Sequence, residues 1–392
     1  MKSLNIGFVF DDSMDRLDGV QQYINTLAEY YTSKGHKVFY FVGETKNSKY
    51  ENLYSFSKNL RIRFNRNTVS IPYKSFKYSQ IEKTLDALMI DVFHVQMPFS
   101  PIMSSKVIRY ASKRGITVIG TFHILGYNKL QSVATKLLGV ITKKSLNYFS
   151  KIYSISSPAQ SFSSHYYGIK SDILGAPIDI KKFKSSKTLD YKSIDILNLG
   201  RLVKRKATID LLTALKILRN KHPESYQSIN SVKIAGSGYL SEKLQTYVKK
   251  NHLDDKISFL GFVSEEDKIN LFANSQISVF PSRGGESFGI VLIEALSSGT
   301  TLVLAADNPG YRSVLGILKT QLFPVKNPDK LAEKLNYYIN SPEKIFNSLN
   351  ESRRIVKSYD VNYVGSKILS DIYSLIAKHK DECHNIAKEH NG

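Results

Sequence analysis

Between Phe280 and Thr300 the chain reads F-P-S-R-G-G-E-S-F-G-I-V-L-I-E-A-L-S-S-G-T, in which two carboxylates, Glu286 and Glu294, lie eight residues apart. Gly284-Gly285 permits a positive-φ turn and close approach of a ligand to the backbone, and Glu286 is expected to open a helix that ends near Gly299. A helix start points unpaired N–H groups and the positive end of its dipole at whatever lies before it, which suits a diphosphate or a cluster of sugar hydroxyls. Glu294 stands among Ile290, Val291, Leu292, Ile293 and Leu296, on a helix too apolar to be exposed. Its carboxylate needs partners there. They are either ligand hydroxyls or a structural donor elsewhere in the fold, and spacing leaves both open.

Cations that could meet an anionic ligand follow another apolar run. Ile194–Leu199 ends in Gly200-Arg201, and Lys204-Arg205-Lys206 come before the next helical segment. Four cations at a strand end face either an anion or water. His123 follows the apolar run 116–122, at the carboxyl end of a predicted strand, where ligands bind in open α/β sheets. The plainer alternative is a histidine satisfied by a backbone carbonyl. The loop D-D-S-M-D-R-L-D-G-V-Q-Q-Y delivers Gly19 to a helix entrance, and Gly236-Ser237-Gly238 is a second close-approach loop. No Asp-x-Asp pair ends a strand, and Asp11-Asp12 and Asp254-Asp255 read as a loop and a turn, so no metal ligands are expected. No residue is an obvious covalent nucleophile.

Such side chains need strands and helices to hold them. Apolar runs at Leu4–Phe10, His36–Val42, Asp91–Val95, 116–122, Ile152–Ile155 and Ser171–Leu174 predict strands, with helical spacing between them, as at Val20, Ile24, Leu27, Ala28 and Tyr31. The polar segment up to about Asn67 reads as irregular, although Leu60, Ile62 and Phe64 alternate with Arg. Gly175-Ala176-Pro177 breaks the series near Ile178. A second series follows, with strands near Ile194–Leu199, Val232–Ala235, Ile257–Leu260, Ile277–Phe280 and Thr301–Leu304. The alternation predicts an α/β protein of two doubly wound, mostly parallel domains, 1–178 and 179–361. Val364, Ile368, Ile372 and Leu375 predict a last helix at 362–378, with a flexible tail at 379–392.

The chain has 392 residues, enough for two cores, and a formal charge of +21. No acidic residue occurs between Val92 and Ser171, where Lys106, Arg109, Lys113, Arg114, Lys129, Lys136, Lys143, Lys144, Lys151 and Lys170 all fall. A second acid-free run holds Lys58, Arg61, Arg63, Arg66, Lys74 and Lys77. One-sided charge suits lipid headgroups or nucleic acid, or reflects a lysine-rich proteome. Residues 126–150 read as a basic amphipathic helix, lying either at a membrane interface or against the sheet. Cys383 is the single cysteine, so no disulfide can form within the chain, and Cys383, His384 and His390 form no zinc pattern. No run of about 18 apolar residues occurs, and the first apolar run is too short for a signal peptide. A soluble or peripheral protein in a reducing compartment is expected.

G-G-E-S-F-G-I-V-L-I-E-A, with E-x7-E after a glycine pair, resembles the retaining nucleotide-sugar glycosyltransferases of family 4, and within them the branch that mannosylates phosphatidylinositol. S-M-D-R-L-D-G-V-Q, S-I-P-Y and T-F-H support the likeness. It implies the GT-B architecture, two Rossmann-like domains facing a central cleft, with the last helix packing back on the first. It also implies GDP-mannose as the nucleotide-sugar donor, no cofactor or metal, and a lipid acceptor such as phosphatidylinositol. The place of action would be an anionic membrane surface, peripheral on the cytoplasmic face of the cell membrane. Arg201 and Lys206 would hold the diphosphate. Gly19, Gly284, Gly285, Ser287, Phe288, Gly289 and Ile290 would line the donor, with Glu286 on sugar hydroxyls and Glu294 on a ribose. Asp15, Gly19, Gln21, Tyr73 and His123 would meet the acceptor, His123 also the transferred sugar or reacting centre. His123, Arg201, Lys206 and Glu286 would be the catalytic set.

The sequence departs from the family at Asp18 and Ala207, both usually glycine, and at Lys74-Ser75-Phe76, where the phosphatidylinositol enzymes have Asn-Gly-Ser. A UDP-sugar donor with a diacylglycerol or glycan acceptor is therefore the alternative. A non-enzymatic nucleic-acid-binding protein is the remote one, since no motif with a defined docking mode on nucleic acid is present and no such partner is expected.

Overall fold

The computed structural model describes residues 2–16, 18–46, 49–64, 67–126, 129–187 and 189–389. Arg66 and His390 lie outside the described residues, as do the side chains of Arg61, Arg63, Lys129, Cys383 and His384. The chain divides into two compact units, Met1–Pro177 with Val361–Gly392, and Ile178–Asp360.

The first unit holds β1 (Asn5–Phe10), β2 (Lys37–Gly43), β3 (Leu53–Phe64), β4 (Asn67–Ser75), β5 (Val92–Met97), β6 (Thr117–Phe122), β7 (Lys151–Ser154) and β8 (Asp172–Ile173). They form one sheet in the order β4-β3-β2-β1-β5-β6-β7-β8. The central strands β5 and β6 are buried throughout, which is why they carry apolar residues on both faces and no charged ones, with His94, Gln96, Thr117 and Thr121 as their buried polar positions. All pairings are parallel except β3 with β4. That hairpin corrects the irregular segment expected near Asn67. The alternation of Leu60, Ile62 and Phe64 with arginine is, as a sequence pattern, the period of a strand.

The last helix runs Val361–Glu389, longer than the expected 362–378, so residues up to Glu389 are helical rather than a flexible tail. It is tied to the first unit in several places. Tyr153 donates to Asp371 Oδ2 at 2.5 Å, Lys151 pairs with the same carboxylate at 3.0 Å, and Tyr373 donates to the Lys2 carbonyl at 2.7 Å. A Cβ on Gly365 would lie 2.5 Å from the Tyr30 ring, so the absence of a side chain there lets the helix seat.

The second unit holds β9 (Ile194–Leu199), β10 (Ile229–Ala235), β11 (Ile257–Gly261), β12 (Ile277–Phe280), β13 (Leu302–Ala306) and β14 (Leu322–Phe323), all parallel, in the order β11-β10-β9-β12-β13-β14. This is the doubly wound dinucleotide-binding order. Its core gathers Ile194, Ile196, Leu211, Leu215, Ile234, Val279, Leu304 and Leu335, all buried. The chain winds outward in both directions from β9 and β12, leaving a crevice beyond their carboxyl ends. In the first unit the same reversal falls between β1 and β5.

Ala207, where the family has glycine, precedes the helix Thr208–Lys221 in a left-handed conformation, φ 53° and ψ 37°. A Cβ is strained there, and a second branch on it more so. Ala207→Gly should leave stability within about 1 kcal/mol of the parent, whereas Ala207→Val should lose roughly 1–3 kcal/mol. Urea unfolding of the two variants side by side checks this; equal stability would mean that the left-handed turn is absent in solution.

Candidate functional site

Two loops leave the carboxyl ends of β9 and β12 and meet over the reversal point of the second sheet. The β9 loop begins at Gly200, φ 154°, and lies under the next loop so closely that a Cβ on Gly236 would stand 2.0 Å from the Gly200 carbonyl oxygen. Gly238 meets the Leu202 carbonyl in the same way, at 2.2 Å. The G-S-G segment is therefore used to stack backbone on backbone, and Leu202 N donates to the Ser237 carbonyl at 2.9 Å.

The β12 loop is fastened to the β9 loop through its backbone and side chains. Arg283 N and Ser282 Oγ both donate to the Arg205 carbonyl, at 2.9 and 3.2 Å. The Arg283 guanidinium is bidentate to Asp210, in the first turn of the helix after Ala207. From the other side, Asn308 Nδ2 donates to the Ser282 carbonyl at 2.9 Å, and a Cβ on Gly310 would lie 2.0 Å from the Glu286 carbonyl oxygen. The turn itself takes Gly284 at φ 145° and Gly285 at φ 69°. Phe288 is buried, its ring edge-on to Tyr359 at 5.4 Å.

The helix starts at Ile290, not at Glu286. Gly289, at φ 120°, is its N-cap; no side chain caps it and no acid sits in its first turn. Glu286 is thereby left on the loop, with its side chain free to reach across to β9. Arg205 Nη1, Lys206 Nζ at 2.9 Å and Ser282 Oγ at 2.7 Å all reach a single atom of it, Oε1. Oε2 has no partner among the described residues. Burial alone would raise the Glu286 pKa, but Lys206 and Arg205 outweigh it and hold the carboxyl at about 2. Lys206 is lowered by burial, and by the nearby charges of Arg205 and Arg201, against the pull of Glu286. Arg201 itself is exposed.

Glu294 is 3% exposed, and its Oε1 accepts from Lys268 Nζ at 2.6 Å; Lys268 also pairs with Glu265 at 2.9 Å. The structural donor that spacing left open is therefore present. Lys268 and Arg205 are the cations of the site that the sequence alone does not assign to a partner. Arg205 stood in its four-cation run, and Lys268 was signalled only by the need of a buried acid for a cation.

In the first unit His123 directly follows β6 and is 7% exposed; its Nε2 lies 2.8 Å from Gln96 Oε1, on β5, instead of on a backbone carbonyl. Burial holds its pKa down at about 3, so it is neutral at physiological pH. Gln21 is buried, its amide donating to the Ser13 carbonyl at 2.9 Å, and Asp15 Oδ1 accepts from Lys46 N at 2.9 Å. Gly19 is exposed as the first residue of helix Gly19–Ser33, and Tyr73 is 58% exposed on β4. Asp11 ties the β1 and β5 ends together, accepting from Ser100 N at 2.7 Å and from the hydroxyl and amide of Ser104.

Glu286 makes stability in the second unit depend on acid. Its folded pKa is about 2 against an ordinary 4.5, so its contribution is complete above 4.5 and lost as pH falls towards 2. At about 1.4 kcal/mol per unit this amounts to roughly 3 kcal/mol. Urea unfolding from pH 5 to pH 3 should show a steeper loss for the parent than for Glu286→Gln; parallel curves would contradict the ion cluster.

Residues 17–180 match the family described as Glycosyltransferase Family 4, and residues 179–356 match Glycosyl transferases group 1. The chain is 26% identical over 386 residues to the phosphatidyl-myo-inositol mannosyltransferase of Mycobacterium tuberculosis, covering 95% of this chain and 97% of that protein. It is 22% identical to the enzyme of the same name from Propionibacterium freudenreichii, covering 94% of each. Among solved structures, Anabaena HepE in complex with UDP superposes with a TM-score of 0.74 at 15% identity, covering 95% of this chain and all of that one. The chain belongs to the GT-B glycosyltransferases, with a family 4 first domain and a group 1 second domain, and is homologous to phosphatidylinositol mannosyltransferases.

Proposed function

We propose that the protein is a retaining mannosyltransferase that passes mannose from GDP-mannose to a phosphatidylinositol-type lipid at an anionic membrane surface. The observation that carries the donor side is the Glu286 carboxylate. Two cations and a hydroxyl hold Oε1, and Oε2 is left to accept from the hydroxyls of a bound sugar. Lys206, Arg205 and the uncapped start of helix Ile290–Ser298 are then at hand for the diphosphate, with Arg201 near Lys206; the ribose is given to Glu294 on the family resemblance alone. His123 meets the transferred sugar from the first unit, and Asp15, Gly19, Gln21 and Tyr73 face the acceptor.

In the transfer the bond from the anomeric carbon to the diphosphate oxygen breaks and the bond to an acceptor hydroxyl oxygen forms on the same face. The hydroxyl proton passes to the departing phosphate, which carries the electron pair away. Positive charge grows on the sugar while negative charge grows on the diphosphate, so cations already fixed beside the diphosphate lower the barrier without rearranging. Arg205 and Lys206 fit that task, being held in place by Glu286 before any ligand arrives.

The lipid side is supported by helix Lys129–Leu146. Its Gly139 and Thr142 are packed, Gly139 so closely that a Cβ would lie 2.6 Å from the Tyr166 carbonyl. Leu137, Val140 and Ile141 turn the other way, 63%, 68% and 56% exposed, flanked by exposed Lys136, Lys143 and Lys144. An apolar stripe left in water beside lysines is the pattern of a helix lying on anionic lipid. No helix among the described residues is long and apolar enough to cross a membrane.

A UDP-sugar donor with a diacylglycerol or glycan acceptor is the second reading, favoured by one observation. Ser75, where the phosphatidylinositol enzymes have glycine, is committed internally: its hydroxyl donates to the Ile102 carbonyl at 2.9 Å and accepts from Lys106 Nζ at 2.5 Å.

The test is transfer by purified protein on anionic liposomes, comparing GDP-mannose with UDP-glucose and phosphatidylinositol with diacylglycerol. Mannosylated phosphatidylinositol is the expected product, and Glu286→Ala should lose activity by at least about a hundredfold while remaining folded. Transfer from the uridine donor alone would replace the proposed donor with the second reading. Replacing Leu137, Val140 and Ile141 together by Gln should weaken liposome sedimentation by at least about tenfold at unchanged thermal midpoint. Sedimentation equal to the parent's would remove this helix from the membrane surface.

A further inference from the structure

His123 sits at the end of a buried polar chain that the activity alone does not explain. On its Nε2 side is the Gln96 side chain, 1% exposed, with Oε1 at 2.8 Å. The other end of the same amide, Gln96 Nε2, donates to the backbone carbonyl of His94 at 3.2 Å. A carbonyl oxygen only accepts, so the amide must present its nitrogen to His94 and its oxygen to His123. An amide oxygen also only accepts. The proton of a neutral His123 is therefore on Nε2, and Nδ1 carries the lone pair. No described residue partners Nδ1.

The ring is confined on its flank as well. Tyr23 stands edge-on to His123, centroids 4.8 Å apart and planes at 80°, and its hydroxyl is 3.0 Å from Thr121 Oγ1. The same Thr121 oxygen is 2.7 Å from Nε2 of His94, whose ring is fully buried. Two strands and a helix thus set the position and orientation of one imidazole: β5 through His94 and Gln96, β6 through Thr121, and helix Gly19–Ser33 through Tyr23.

We propose that Gln96 is a positioning residue for the transfer, holding His123 as its Nε2–H tautomer so that Nδ1 is a fixed acceptor for a hydroxyl of the transferred sugar. This rests on the reading that His123 meets that sugar. The choice of an amide matters, because a neutral partner does not favour imidazolium, and an added positive charge beside a sugar that is itself becoming cationic would raise the barrier. The titratable groups that bear on the ring are Tyr23 and His94. Burial holds the tyrosine hydroxyl protonated and keeps His94 neutral, with a pKa of about 3, so neither supplies a competing charge at neutral pH.

Two substitutions separate positioning from packing. Gln96→Leu keeps the volume and removes the acceptor; Gln96→Glu keeps the acceptor and adds a charge that favours imidazolium. The first readout needs no substrate. The imidazole 15N shifts of His123, assigned by their loss in His123→Gln, should report Nε2–H in the parent and a shift towards the other tautomer in Gln96→Leu. The second readout is transfer with whichever nucleotide-sugar the parent uses. Gln96→Leu should lower kcat about ten- to a hundredfold with little change in donor KM. Gln96→Glu should bring an acid limb into kcat above pH 6.5, the ordinary histidine value, where the parent is flat. An Nδ1–H His123 in the parent, a tautomer indifferent to Gln96→Leu, or a change in KM alone would each overturn the proposal. If the parent turned over no nucleotide-sugar, the functional reading would fail by itself, and the 15N measurement would still decide whether Gln96 sets the tautomer.

Discussion

The second unit depends on one charge balance, the sharing of Glu286 Oε1 by Arg205 and Lys206. Isolated at that depth, the carboxylate would be driven towards its neutral form and the two cations would repel each other across a few ångströms. Brought together, each makes the others' burial tolerable. The cluster also joins the β9 loop to the β12 loop at the point where the sheet reverses its winding. The same ion cluster that closes the loops over the sheet therefore forms the place proposed above for a diphosphate and a sugar.

Much of the surrounding architecture serves to keep that meeting in register. Gly236, Gly238 and Gly310 have no side chain because backbone carbonyls occupy the space a Cβ would need. Asp210 and Asn308 fix the β12 loop from opposite sides. Across the first unit the corresponding tie is Asp11, buried between the ends of β1 and β5, its carboxylate satisfied by Ser100 and Ser104. Burial raises its pKa against the pull of those donors, the opposite outcome to Glu286, because among the described residues no cation faces it. Two buried carboxylates, each next to the reversal of its own sheet, are thus stabilised by different means: one by neutral donors, the other by charge.

Particular residues show what could be read from the chain and what could not. The buried parallel strands are legible because apolar residues predominate and no charge falls in Val92–Met97 or Ile277–Phe280, and Ala207 is legible as a departure from glycine where the backbone proves left-handed. The hairpin of β3 and β4 is not evident from composition, since the period-two pattern of Leu60, Ile62 and Phe64 is interleaved with arginine inside a polar stretch. The start of the helix after β12 was placed four residues early. Glu286 has the composition of a first-turn acid, but Gly289 is where the backbone turns into the helix. The far end of the last helix went unrecognised beyond Lys378, where the charged composition that suggests fraying is also that of a solvated helix.

From sequence alone came the class of protein, the two α/β halves, the carboxylates, cations and histidine to watch, and the likeness to a glycosyltransferase family. These follow from patterns within a strand, a helix or a loop, where neighbours in space are neighbours in the chain. Tertiary structure decided which partner each buried charge has: Arg205 and Lys206 for Glu286, about eighty residues away, Lys268 for Glu294, and Gln96 for His123. No local pattern encodes those pairings. They arise when parallel strands far apart in sequence are laid side by side, and only then does desolvation determine which polar groups must find each other.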